Sequence, residues 1–108
     1  MKGNISLPEL KLTAHSKLIY QISRNVRAIF MDYDAQKRLV IFLAYFQSPP
    51  TELEEESIAD AASETAVEHY IDSQSKAVYS TASFRELEKL PYWLFVRAEE
   101  LDDISEEE

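Results

Sequence analysis

Five carboxylates, Glu52, Glu56, Asp60, Glu64 and Glu68, recur every four residues in this 108-residue chain. At 100° per residue they share one side of a helix, while Ile58, Ala61, Ala62, Ala66 and His69 share the other. Such a row can ligate a cation, supply acid and base to a hydrolysis, or meet a positively charged surface. Metal ligation is poorly served: Glu64, Glu68 and His69 offer two oxygens and a nitrogen, but positions 68 and 69 point 100° apart and further ligands would have to come from elsewhere. Hydrolysis needs carboxylates on opposing walls of a cleft, and one helix face has no opposing wall. The third use fits best. No Lys or Arg stands between Arg38 and Lys76, a stretch that also holds Glu54, Glu55 and Asp72. Like charges at i,i+4 cost a helix a few tenths of a kcal/mol per pair, roughly, so folding alone leaves this pattern unexplained. The alternative is a solvated face that serves solubility.

Other catalytic equipment is sparse. The single glycine, Gly3, precludes a glycine-rich phosphate cradle or a nucleophile elbow in the folded body. His15 and His69 are the two candidate bases, and each falls on or beside the apolar stripe of a helix, where a packing role is expected. No enzyme activity, cofactor or metal is predicted.

The net charge of −9 is distributed in blocks: +4 over residues 1–38, −8 over 39–75, +2 over 76–98 and −7 over 99–108. A field of that sign repels nucleic acid and anionic membrane, so neither is an expected direct partner. A protein of opposite charge is. A four-residue step along a helix rises about 6 Å, comparable to phosphate spacing, so mimicry of nucleic acid is the alternative use of the same row. Each step also winds by about 40°, which makes the imitation approximate. Tyr70, Tyr79 and Tyr92 are the candidate aromatic anchors for a partner, and Tyr70 directly follows the acidic helix.

The elements that must position these residues are legible from punctuation and period. Ser6 or Leu7 before Pro8 marks a helix start, and Leu7, Leu10, Ala14, Leu18 and Ile22 carry its stripe to about Ser23. Val26 to Tyr33 and Lys37 to Phe46 are rich in β-branched and aromatic residues and predict a hairpin about Asp34-Ala35-Gln36. Pro49-Pro50 ends the second strand, and Thr51 with Glu54 forms a capping box for a helix expected over Glu52 to Ile71. Lys76 to Ala82 and Tyr92 to Ala98 read as two more strands, with a loop or helical turn at Ser83 to Leu90. Strand alternation puts Trp93, Phe95 and Arg97 on one face against Tyr92, Leu94 and Val96, with Trp93 in the core. The predicted fold is α+β, in the order α-β-β-α-β-β. Its four-stranded, mostly antiparallel sheet carries two helices packed on one face and is partly wet on the other.

A hydrophobic content of 45% over this length predicts a single domain at 1–98, followed by a frayed or disordered acidic tail at 99–108. With no cysteine, no signal-type apolar run at Met1 to Leu12 and no bilayer-length segment, the expected location is the cytoplasm.

Several segments together resemble a family of small bacterial α+β proteins. They are Asn25-Val26-Arg27-Ala28, Asp32-Tyr33-Asp34, the aromatic strand through Phe42, Tyr45 and Phe46, the capped helix with Glu54-Glu55 and Ala61-Ala62, and Tyr92-Trp93-Leu94-Phe95-Val96-Arg97. That family includes immunity proteins of contact-dependent growth inhibition and related toxin-immunity pairs. The resemblance spans roughly residues 5–98. Ser48-Pro49-Pro50 stands where a glycine-containing turn is expected, and the acidic tail is longer than expected. It implies a non-catalytic protein that binds and neutralises a cognate toxin in the bacterial cytoplasm. Because such proteins bind through variable surfaces, it transfers no site residue, and it leaves the oligomeric state open. Nuclease toxins are basic because they bind phosphates, and an acidic inhibitor matches that field. Glu52, Glu56, Asp60, Glu64, Glu68 and Tyr70 are the residues expected to meet the toxin.

Overall fold

A computed structural model describes residues 6–105. The helix α1 (Leu7–Leu18) starts where Ser6 Oγ accepts the Glu9 amide at 3.3 Å, with Pro8 in the first turn. It buries Leu10, Ala14 and Leu18. It stops short of Ser23 because the chain turns there toward the sheet, held by the Ser23 hydroxyl on Glu54 and the Val26 amide on the Ser23 carbonyl.

Strands β1 (Val26–Asp34) and β2 (Leu39–Phe46) form the expected antiparallel hairpin. Its turn is longer than predicted. Asp34 Oδ1 accepts the amides of Gln36 and Lys37, and Arg38 closes the turn at φ 51°, so the second strand begins at Leu39 rather than Lys37.

The sheet is mixed, which corrects the mostly antiparallel expectation. Its order is β3-β2-β1-β4, and β3 (Asp72–Tyr79) runs parallel to β2. The cause lies in matched lengths. The eight residues of β2 advance the chain by about 26 Å. The 17-residue helix α2 (Glu52–Glu68) brings it back by about the same distance. The chain therefore re-enters the sheet at the end where β2 began. It re-enters early. The Ile71 amide donates to the Ala66 carbonyl and the Tyr70 amide to Val67, with Tyr70 at φ 57°, a closing turn that ends α2 at Glu68 and starts β3 four residues before the predicted Lys76.

As predicted, α1 and α2 cover one face, packing Leu10, Leu18, Ile58 and Ala62 on Ile29, Met31, Phe42 and Phe46. The other face is covered in its middle and stays partly wet at its margins, where Trp93 and Lys76 are exposed. The β3–β4 connection, with a 3-10 turn at Phe84–Glu86, lays Phe84 and Leu87 over Phe30, Leu43 and Tyr45. Burying a side chain the size of Phe84 stabilises by about 1.5–3 kcal/mol. The Tyr45 hydroxyl donates to the Glu88 carbonyl at 2.7 Å, and the Lys89 ammonium sits 4.7 Å from the Phe84 ring centroid, pinning the connection in place.

Strand β4 (Tyr92–Val96) pairs Phe30 with Trp93 and Ile29 with Phe95, leaving Leu94 as an inserted residue. This bulge puts Leu94 and Phe95 on the same helix-covered side, against the predicted alternation. Trp93 lies on the opposite side, edge-on to Phe30 and Phe84, and is 42% exposed, at the rim of the core rather than inside it. The chain then forms a third helix, α3 (Ala98–Ser105), where the composition predicts a frayed tail; residues 106–108 lie outside the described residues.

Candidate functional site

The acidic helix is built from its cap. Thr51 Oγ1 accepts the Glu54 amide at 3.1 Å, and Glu54 Oε1 accepts the Thr51 amide at 2.9 Å. Glu54 also accepts from the Ser23 hydroxyl at 2.7 Å and from Asn25 Nδ2 at 3.1 Å. The Thr51 amide, followed by the Ser23 hydroxyl, holds this carboxyl below the ordinary 4.5. Glu54 therefore serves the fold and leaves the acidic surface. The inner stripe is small, with Ile58, Ala61, Ala62, Thr65 and Ala66 buried, and the Thr65 hydroxyl returns to the Ala61 carbonyl at 2.8 Å.

On the outer side Glu52, Glu56, Asp60, Glu64 and Glu68 are all exposed. Glu68 is engaged from outside the helix, since Lys17 of α1 reaches it at 2.5 Å. That contact raises the lysine's pKa and lowers the glutamate's. Among the described residues no ion pair joins Glu52, Glu56, Asp60 or Glu64 to a cation. Lys17 also attracts Glu64 without bonding to it, so Glu52, Glu56 and Asp60 are the carboxylates left without a paired cation among the described residues, along about 12 Å of helix. Leu53 and Val67, 72% and 68% exposed, lie within the same arc. The sequence reading missed them, although the same 100° projection places both opposite Ile58.

The three tyrosines are not brought together. Tyr70 sits at the C-terminal end of the acidic row, 83% exposed and in the left-handed conformation. Tyr79 lies at the far end of β3, about 25 Å of strand away. Tyr92 belongs to the opposite sheet edge, half-buried beside Leu7, Leu12 and His15 of α1.

Neither histidine joins a site. His69 Nε2 lies 2.9 Å from Thr13 Oγ1, and because that hydroxyl donates to the Glu9 carbonyl, the imidazole N–H is the donor to it. His69 ties α2 to α1. His15 is exposed. Among the described residues no group of three His, Asp or Glu side chains is placed to hold a metal ion. No described helix is long and apolar enough to cross a membrane.

The most elaborate polar cluster is one that the sequence reading missed. The pairing of β1 with β2 steps from Val26–Phe46 to Ala28–Tyr45, and the inserted residue, Arg27, turns a buried guanidinium toward α3. Arg27 Nε and Nη2 donate to the two oxygens of Glu100 at 2.8 and 2.7 Å, and Nη1 donates to the Ser80 carbonyl at 2.8 Å. Arg97 Nε adds a bond to Glu100 at 2.9 Å, and its Nη1 donates to Gln47. Glu100 is 5% exposed, and Arg27 foremost, with Arg97, holds its carboxyl below the ordinary 4.5. Every charge here is answered by another part of the chain. This is a clasp for α3.

No curated protein matches this chain. A family model described as MafI2 immunity protein matches residues 8–99, from the first turn of α1 to the start of α3. Over that span, which is most of its length, the chain belongs to the MafI2 immunity protein family.

Proposed function

We propose that this protein neutralises a cognate toxin of the contact-dependent growth inhibition type, in the bacterial cytoplasm, by binding it without performing chemistry. The outer face of α2 meets a basic surface on a nuclease-like toxin. Glu52, Glu56, Asp60 and Glu64 supply the attraction, Glu68 extends the row while paired to Lys17, and Tyr70 is the aromatic anchor at its end. The observation that carries this reading is the exposed carboxylate row, in which Glu52, Glu56 and Asp60 have no ion-paired cation among the described residues. Membership of an immunity family supplies the toxin as partner, and the row supplies the sign of its surface. A field of this kind raises association rates above the roughly 10⁵–10⁶ M⁻¹s⁻¹ of unsteered docking, and carboxylate–Arg pairs desolvated in the complex slow escape. The same electrostatics suit a nucleic-acid mimic less well, because three steps from Glu52 to Glu64 wind by about 120°.

The test begins with a pull-down from native lysate at low and high salt, followed by expression of the retained basic protein as an inactive variant. Replacing Glu56 and Asp60 together by Lys leaves Glu64 and the Lys17–Glu68 pair untouched. It should weaken toxin binding by roughly a hundredfold, mainly through slower association, and abolish protection of cells that express active toxin. Unchanged affinity at an unchanged unfolding midpoint would remove the ridge from the account.

A further inference from the structure

The two edges of the sheet are built differently. Strand β4 is five residues long, interrupted by the Leu94 bulge and followed at once by α3, all devices that blunt an edge. Strand β3 is eight residues long, pairs with β2 in unbroken register from Leu39–Asp72 to Phe46–Tyr79, and among the described residues has no strand on its other side. The amides of Asp72 and Ser80 donate toward the β2 side, to Arg38 and Phe46. With a period of two, the N–H and C=O of Ser73, Ser75, Ala77 and Tyr79 point outward.

A groove flanks this edge on each face. On the helix side, one of about 450 Å³ runs between α2 and β3, with the exposed Glu55 and Glu56 and the buried Ile58 among its lining on α2 and Ala77 on β3. On the other side, one of about 300 Å³ is floored by Leu43, Val78 and Leu90, with Glu88 beside it. Lys76 lines both. Side chains of a strand added to β3 would enter the two grooves alternately.

We propose that β3 is a docking edge on which an extended segment of the toxin, alternating basic and apolar side chains, adds as a fifth strand. The inference rests on the toxin-binding reading above and extends it from α2 to the adjacent sheet edge. Basic side chains of the segment meet Glu55 and Glu56, its apolar ones cover Val78 and Leu90, and its backbone satisfies the four outward-facing residues of β3. Charge selects this occupant over a second copy of the chain. Each helix-side groove sets Glu55 and Glu56 against the one Lys76, and the chain carries −9 in all, so pairing two β3 edges would bring together two surfaces of net negative charge.

Residue-resolved amide hydrogen exchange, with and without the inactive toxin recovered by pull-down, separates the possibilities. The expected result is that the amides of Ser73, Ser75, Ala77 and Tyr79 slow by at least tenfold in the complex, while those of Gln74, Lys76 and Val78, already bonded to β2, change little. Ser75→Pro removes one outward donor where an edge strand tolerates proline, and its neighbour Gln74 already has the extended backbone proline requires. It should weaken toxin binding at least tenfold at an unchanged unfolding midpoint. A complex that forms with the alternate amides still exchanging as in the free chain overturns the docking edge and leaves the α2 surface standing. Failure of the toxin to bind at all overturns both. Protection of the same amides in the free chain that grows with its concentration assigns the edge to a second copy and overturns the proposal.

Discussion

Glu56 and Glu100 belong to helices of similar acidity and have opposite surroundings. Glu56 stands on the outer face of α2 with no cation bonded to it among the described residues, whereas Glu100, on α3, is closed in by two arginines, one of them buried. A carboxylate with all its partners inside the chain contributes to holding the chain together. One that lacks them adds little to folding and keeps its charge for something else. The contrast separates acidity that maintains the structure from acidity available to a partner, and composition alone lumps the two.

The largest effect that would test this contrast is at Glu100. Glu100→Gln leaves Arg27 buried beside a neutral amide, and breaking such a pair typically costs about 3–5 kcal/mol. Urea unfolding should register that loss, whereas Glu56→Gln should stay within about 0.5 kcal/mol of the parent. A Glu100→Gln loss no larger than that of Glu56→Gln would place both carboxylates in the same class and end the distinction.

Acid titration sharpens the same comparison with a smaller signal. The folded pKa of Glu100 is depressed, chiefly by Arg27, below the ordinary 4.5. Its contribution to stability is therefore fully present above that ordinary value and is lost as pH falls through the lowered folded value. Its bonded partners among the described residues are Arg27 and Arg97, and neither titrates in that range. Glu54 and Glu68 are also depressed, so the parent alone loses stability in acid for several reasons. The difference between the parent and Glu100→Gln isolates one of them. It should be constant from pH 7 to about pH 5 and shrink below that. A difference that persists unchanged to low pH would mean that the packing of α3, and not the ionised pair, accounts for the loss.

The sequence exposes the outer half of this contrast and hides the inner half, for physical reasons. The α2 ridge is legible because everything that defines it is local: a double proline, a capping box within four residues and a 100° period. The Arg27–Glu100 clasp joins residues 73 apart, and it depends on one inserted residue in β1 that turns a strand arginine toward the C-terminal helix. No local period records either feature. The parallel placement of β3 is similarly hidden, because it follows from the match between the lengths of β2 and α2 and from a closing turn at a tyrosine where glycine is the usual residue. The second hydrophobic face is hidden for a like reason, because Phe84 and Leu87 sit in a connection with no strand or helix period.

That tyrosine supplies the smallest and most discriminating effect. Tyr70 occupies the left-handed position that ends α2, where a side chain with a Cβ is strained relative to glycine. It is also 83% exposed, so it gains little from burial. Its carbonyl accepts from Arg38 Nη2 at 3.1 Å, a main-chain bond that any residue at this position would keep. Tyr70→Gly should therefore stabilise the fold, by about 0.5–1 kcal/mol once the extra freedom of glycine in the unfolded chain is subtracted. If Tyr70 anchors the toxin at the end of the ridge, the same change should weaken binding by at least tenfold, so that stability and affinity move in opposite directions. A gain in stability with unchanged affinity would make Tyr70 a tolerated misfit and confine the partner surface to the carboxylates and the β3 edge. Only the divergent outcome accounts for a bulky aromatic ring at a position where the backbone favours glycine.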